Sequence, residues 1–194
     1  EDAYQLLHGS SKTNSKRIDL VGLGDPKDID IETIRKASAR AVKAALRMKL
    51  EKITFAFPKY LMKLGLSDEL LAQAIVEGAL LANYRFDKYQ TGKDKKKYAG
   101  IEEVAIITEG SPSEGVHRGV HAAHIICDAV NFARDLANAP GNELPPRELA
   151  DRTAHMCRKN KIKCSVYNEA KIKALKMGGI LAVAQGSAEP PRMI

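Results

Sequence analysis

Apolar positions along the chain follow two rhythms, and the changes between them mark out the elements. Arg17-Ile-Asp-Leu-Val-Gly-Leu-Gly24 is an apolar run closed by glycine and Pro26, which predicts a buried strand ending in a turn. Ile34, Ala37, Ala41, Ala45 and Met48 then recur at three-to-four spacing and predict a helix. Asp28, Asp30 and Glu32 stand at its start, where the helix dipole favours negative charge. Lys52-Ile-Thr-Phe-Ala-Phe-Pro58 returns to β-branched and aromatic residues with a proline stop, the pattern of a second strand. Ser67 is placed to cap a helix carrying Leu70, Leu71, Ala74, Ile75, Gly78 and Leu81. Residues 101–108 supply another strand, with Glu102 and Glu103 at its surface end. Strands alternating with helices predict an α/β fold with a mainly parallel sheet and flanking helices.

A turn-rich break at 108–115 separates this first domain, 1–112, from the rest of the chain. Val120, Ala123, Cys127, Val130 and Ala133 predict a long helix over about 116–137, read as the core of a linker spanning 113–139. Pro140 and Gly141 stop it, and Pro146 suits the first turn of another helix, to about 160. Ile162, Cys164 and Val166 alternate with Lys163 and Ser165 as in a strand with one exposed face. A helix over about 169–176 leads into a glycine-rich stretch, and the last residues read as the start of another strand. The second unit, 140–194, is therefore expected to be an incomplete α/β domain. No internal repeat is present.

Composition narrows the class. The chain has 194 residues, 44% hydrophobic and 28% charged, the balance of a globular protein with no low-complexity signature. No apolar run approaches the eighteen or so residues of a membrane helix. Glu1-Asp2-Ala3-Tyr4 is neither a start methionine nor a basic leader, so the true amino terminus is expected to precede it. Cys127, Cys157 and Cys164 are odd in number and form no Cys-x-x-Cys pair, which argues against a disulfide framework or zinc knuckle and for a reducing compartment. A net charge of +7 fits either acidic partners or simple solubility.

Two ordered segments carry a family resemblance. Asn131-Phe-Ala-Arg-Asp-Leu-Ala-Asn-Ala-Pro-Gly-Asn-Glu-Leu-Pro-Pro146 resembles the junction between the two domains of the leucyl (cytosol) aminopeptidase family. Met177-Gly-Gly-Ile-Leu-Ala-Val-Ala-Gln-Gly-Ser-Ala-Glu-Pro-Pro-Arg192 comes after it at matching separation and is similar to that family's approach to its first metal-binding strand. Leu80-Leu-Ala-Asn-Tyr-Arg-Phe-Asp-Lys-Tyr89 and Leu20-Val-Gly-Leu-Gly24 resemble a helix end and a strand of its amino-terminal domain. Pro145 departs from the pattern, standing where relatives often carry Thr or Ser. It has no hydroxyl to cap the next helix, a loss of about 1 kcal/mol.

The resemblance implies a macro-domain-like amino-terminal domain followed by the start of a catalytic peptidase domain. It implies an exopeptidase acting on peptides with a free amino terminus, in which two divalent cations, zinc or manganese, activate a bridging water and polarise the peptide carbonyl. The family's lysine, aspartate and glutamate ligands come from segments after Ile194. Hence no catalytic, cofactor-binding or metal residue of this chain is assigned, and 1–194 alone is expected to be inactive and to bind no metal. The whole protein is expected to be a cytoplasmic homo-oligomer, by resemblance a hexamer.

Rival signals have plainer readings. His117, His121, His124 and Asp128 share a helical face, but Arg118 stands where a zincin glutamate belongs, and any polar helix face yields such spacing. Gly22-Leu-Gly24 resembles the opening of a dinucleotide fingerprint, yet Lys27 replaces its third glycine, and fold similarity to macro domains transfers no nucleotide site. Lys36, Arg40, Lys43 and Arg47, with the loop Lys93-Asp-Lys-Lys-Lys97, define the alternative, a noncatalytic binding or assembly module that contacts nucleic acid. No aromatic stacking module accompanies them, so a solvated face is the expectation.

Overall fold

Asp30 sets where the first long helix begins. In the computed structural model, which describes residues 4–9, 15–91 and 100–194, its carboxylate accepts the Thr33 backbone N–H at 2.7 Å. Thr33 Oγ1 in turn accepts from the Asp30 N–H, completing a capping box. Helix α1 (Ile31–Arg47) then buries Ile34, Ala37, Ala41, Val42 and Ala45, one residue per turn or nearly so. Asp28 does not join this first turn as predicted. It closes a separate 3₁₀ turn, Pro26–Asp28, capped by the Asp25 side chain.

Helix α2 (Asp68–Asn83) starts at Ser67, whose side chain accepts the Leu70 N–H at 3.2 Å. The two helices pack closely because Gly78 has no side chain. A Cβ there would overlap the Arg35 carbonyl oxygen and lie 2.8 Å from Ser38 Cβ. Ser38 Oγ donates to the Ile75 carbonyl at 2.6 Å across this contact, and buried Glu77 accepts from Arg35 Nε at 2.6 Å and from Gln73 Nε2 at 2.7 Å. Each of these polar groups thus has a partner that compensates its desolvation.

Strands β3 (Lys52–Ala56) and β4 (Glu103–Ile107) pair in parallel, with Ile53 opposite Val104 and Phe55 opposite Ile106. Phe55 and Ile106 pack with Ile34, Leu61, Leu71 and Ile75, and Ile53 and Val104 with Val42, Ala45, Ala79 and Ile101. The helices therefore cover the strand pair as the predicted α/β pattern requires. Asn83 joins the end of α2 to the approach to β4. Its amide donates to the Ile101 carbonyl at 2.8 Å and accepts the Ile101 N–H at 2.9 Å.

The apolar pattern predicts one strand of the other pair, over 17–24, but not its partner. Strand β1 (Tyr4–His8) runs antiparallel to β2 (Arg17–Val21), so the pairing is mixed and not parallel throughout. The apolar run that predicts a buried strand also overstates burial, since Leu20 is 49% exposed. Side chains alternate faces along β2, and a two-stranded hairpin does not cover both.

Helix α3 (Glu114–Asn138) begins where Ser113 Oγ accepts the Val116 N–H at 3.2 Å and donates to Asp68 Oδ2. Gly115, Gly119, Ala123 and Cys127, spaced by four, are its buried residues along with Val116. A Cβ on Gly119 would overlap the Glu69 carbonyl oxygen, and Cys127 Sγ lies 3.9 Å from the Glu77 carbonyl. Arg118 adds a 2.8 Å ion pair to Glu69.

The chain divides into two compact units, 1–132 and 133–194, and the division falls inside α3. The second unit holds α4 (Pro146–Lys159), α5 (Glu169–Ala174) and α6 (Gly178–Ala184), with Ala150, Cys157 and Ile172 buried. Pro145 precedes α4 with no side-chain cap bond, as its missing hydroxyl dictates. The strand predicted from the alternation at 162–166 does not form a ladder. Of residues 162–167 only Tyr167 pairs, in an antiparallel bridge to Met193, because alternation provides two faces but no neighbouring strand. No helix among the described residues is long and apolar enough to cross a membrane.

Candidate functional site

The histidine face of α3 points to solvent. His117, His121, His124 and Asp128 are all exposed, opposite the stripe of Gly115, Gly119, Ala123 and Cys127 that faces α2. Helical spacing aligns them on one side, but a metal site needs ligands converging from more than one direction. Among the described residues no group of three or more His, Cys, Asp or Glu side chains is arranged to hold a metal ion.

The glycine turn after β2 leads away from a phosphate cradle. Gly24 takes the left-handed conformation at φ 88°, and the N–H of Lys27 is taken at 3.0 Å by the Asp25 carboxylate. The amino terminus of α1 is likewise occupied by the Asp30 carboxylate. That carboxyl lies below the ordinary aspartate value, chiefly because the Thr33 hydroxyl donates to its charged form and then because of the Thr33 backbone N–H.

Of the basic stripe on α1, Lys36, Lys43 and Arg47 are exposed and Arg40 is half-buried. Lys36 Nζ lies 3.9 Å from Glu32. The loop Lys93-Asp-Lys-Lys-Lys97 lies outside the described residues. Glu103 opens β4 at the surface and accepts a 2.6 Å ion pair from Lys52, whose ammonium is held above its usual value first by that hydrogen bond and then by the charge.

In the second unit the glycine-rich stretch builds α6 and then turns along an open cleft of about 350 Å³. Glu169, Lys173, Gln185, Ser187 and Glu189 supply its polar lining, and Pro190 and Pro191 stiffen one wall. Lys173 and Glu169 neutralise one another at 2.6 Å. Gly178, Gly179 and Gly186 face open space. The junction segment 131–146 forms the end of α3 and the turn into α4, capped where the Leu144 N–H donates to the Pro140 carbonyl at 3.1 Å. Near the end of α4, burial pushes the Cys157 thiol above its ordinary value, with Cys164 the next cause.

Comparison with known proteins assigns both halves of this arrangement. Residues 2–93 match the model described as the cytosol aminopeptidase family, N-terminal domain, and residues 131–194 match that family's catalytic domain. A probable cytosol aminopeptidase of Aquifex aeolicus is 37% identical over 175 residues, 90% of this chain and 33% of that protein. One from Persephonella marina is 34% identical over 90% of this chain and 34% of its own length. Among solved structures, a tomato leucine aminopeptidase mutant superposes with a TM-score of 0.80 at 26% identity, covering 98% of this chain and 36% of its own. The bottromycin maturation enzyme BotP in complex with Mn gives 0.77 at 29% identity, covering 97% and 38%. The chain thus spans about a third of the length of the relatives it matches.

Proposed function

The chain belongs to the cytosol aminopeptidase family, and we propose that the whole protein is an aminopeptidase, a hydrolase that removes the amino-terminal residue from peptides. One observation carries the reading: the family's N-terminal and catalytic models match in that order along one chain, over 2–93 and 131–194. In this assignment 1–112 is the N-terminal aminopeptidase domain in part, 113–139 the linking helix, and 140–194 the start of the catalytic domain.

The residues present do not fit a dinuclear metal centre. Among those described, no three ligating side chains converge, and the candidate histidines lie along one exposed helical face. No catalytic step is therefore assigned through a metal to side chains of 1–194. The proposed cofactor, a pair of divalent zinc or manganese ions, is held by residues outside this segment, and the relative in complex with Mn supports manganese. The proposal extends to a cytoplasmic homo-hexamer and to peptide substrates with a free amino group. Supplying the protein, extended past Ile194, with leucyl peptides tests it. Metal-dependent release of leucine from a free-amine peptide, blocked by amino-terminal acetylation, is the expected result, and equal cleavage of both peptides would refute an exopeptidase.

A further inference from the structure

One antiparallel bridge in the second unit fixes a register. The Tyr167 N–H donates to the Met193 carbonyl at 2.7 Å, and the Met193 N–H donates to the Tyr167 carbonyl at 3.1 Å. Because the two residues exchange both bonds, they are the hydrogen-bonded kind of antiparallel pair. Carried one step further, the same register sets Ile194 opposite Val166. Each residue added after Ile194 then comes opposite one residue nearer to Ile162.

The segment that such a strand meets is open along one edge. No helix, turn or left-handed residue interrupts 162–166. Along a strand, alternate N–H groups share an edge, so those of Lys163 and Ser165 point the way of the Tyr167 N–H, toward the strand that Met193 begins. Neither makes a backbone hydrogen bond among the described residues. The Ile162 N–H belongs to the other edge and is already taken, at 2.8 Å, by the Cys157 carbonyl at the end of α4. Faces agree with edges. Ile162, Cys164 and Val166 share one face, and Ile194 joins it beside Val166. Val166 is 41% exposed and Ile194 49%, two apolar side chains that the pairing covers.

We propose that 162–166 is the docking edge for the residues that follow Ile194 in the whole protein, which add to it as an antiparallel strand in the register set by Tyr167 and Met193. The proposal rests on the aminopeptidase reading, in which the catalytic domain matched over 131–194 continues past Ile194. Relatives of which this chain covers 33% and 34% support that continuation. The register assigns each position. Val166 faces Ile194 with no hydrogen bond between them. Ser165 exchanges two bonds with the first residue after Ile194, and Lys163 does so with the third. Cys164 and Ile162 stand opposite the second and fourth, which share the apolar face and are expected to be apolar. The added strand closes the open edge and draws the chain back toward the end of α4.

The test uses the protein extended past Ile194. Hydrogen exchange is resolved to single amides and corrected for intrinsic rates. Lys163 and Ser165, with the first and third residues after Ile194, should exchange at least about 100-fold more slowly than Cys164 and Val166. A disulfide probe identifies the partner strand. In a Cys164→Ser background, Val166→Cys with Ile194→Cys should close a link within one chain. Ser165→Cys with Ile194→Cys, on opposite faces, should not. Fast exchange at Lys163 and Ser165, slow exchange at Cys164 and Val166 in their place, a link from Ser165→Cys, or links only between copies would each overturn the proposal. Leucine release is read separately on the same protein. Turnover with an unprotected edge refutes the strand alone, and a protected edge without turnover refutes the aminopeptidase reading alone.

Discussion

Replacing Gly78 with alanine tests the close contact between α1 and α2. Helix propensity alone favours the change by about 1 kcal/mol, since glycine is a poor interior residue. The structure opposes it. The new methyl would overlap the Arg35 carbonyl oxygen and meet Ser38 Cβ at 2.8 Å, where carbon contacts are comfortable at roughly 3.5–4.0 Å. Helices α1 and α2 would have to part, because the nearest obstacle is backbone, which cannot rotate aside. Overpacking of this kind costs about 1–3 kcal/mol. Parting the helices also stretches the 2.6 Å bond from Ser38 Oγ to the Ile75 carbonyl, worth about 1 kcal/mol. Set against the propensity gain, Gly78→Ala should destabilise the first unit by about 1–3 kcal/mol. With a urea dependence of about 2 kcal/mol/M, the midpoint followed by circular dichroism should fall by about 1 M. Gly179→Ala in α6, where a Cβ meets nothing within 4 Å, is the control and should leave its unit's midpoint unchanged or slightly higher. A midpoint for Gly78→Ala equal to or above that of the unaltered protein would refute the packing argument.

Three further outcomes are expected. Asn83→Ala removes both bonds that hold the Ile101 backbone, and should cost about 1–3 kcal/mol with faster hydrogen exchange at the Ile101 amide. Lys161→Gly relieves a left-handed lysine at the end of α4 and should stabilise the second unit by about 1 kcal/mol, read as a higher melting temperature. The Asp30 carboxyl has a lower value folded than unfolded, so its contribution is present above the unfolded aspartate value and is lost as pH falls through the folded one. Melting temperature measured against pH should therefore drop less steeply on the acid side in Asp30→Asn than in the unaltered protein.

Local signals are legible in the sequence and non-local ones are not. Ser67 and Pro146 announce their helices because capping and a fixed φ act within one turn, and α2 and α4 begin where those residues place them. The stripe from Ile34 to Ala45 names the buried side of α1 because helical periodicity needs no partner. Strand pairing does need one. Tyr4–His8 carries adjacent Leu6 and Leu7 without clean alternation, and its pairing with β2 depends on residues beyond its own segment. The alternation at 162–166 misleads for the same reason, since it records two faces and not a neighbour. At the candidate sites, the histidine spacing on α3 is visible, but its exposure results from Gly115 and Gly119 taking the side against α2. The left-handed turn at Lys161 that ends α4 is hidden as well, because lysine is no signal for it. The family is legible in the junction 131–146 and the stretch 177–192, both of which fall within the match to the catalytic domain.

The proposal that the whole protein is an aminopeptidase with its metal ligands outside 1–194 is put to a paired assay. Residues 1–194 and the protein extended past Ile194 are each given leucine amide with manganese or zinc, and leucine release and melting temperature are followed together. Metal-dependent turnover and a metal-induced rise in melting temperature are predicted for the extended protein, since a ligand bound only by the folded state stabilises it. Neither is predicted for 1–194. Robust turnover by purified 1–194, lost when His117, His121 and His124 are replaced by alanine, would contradict the claim.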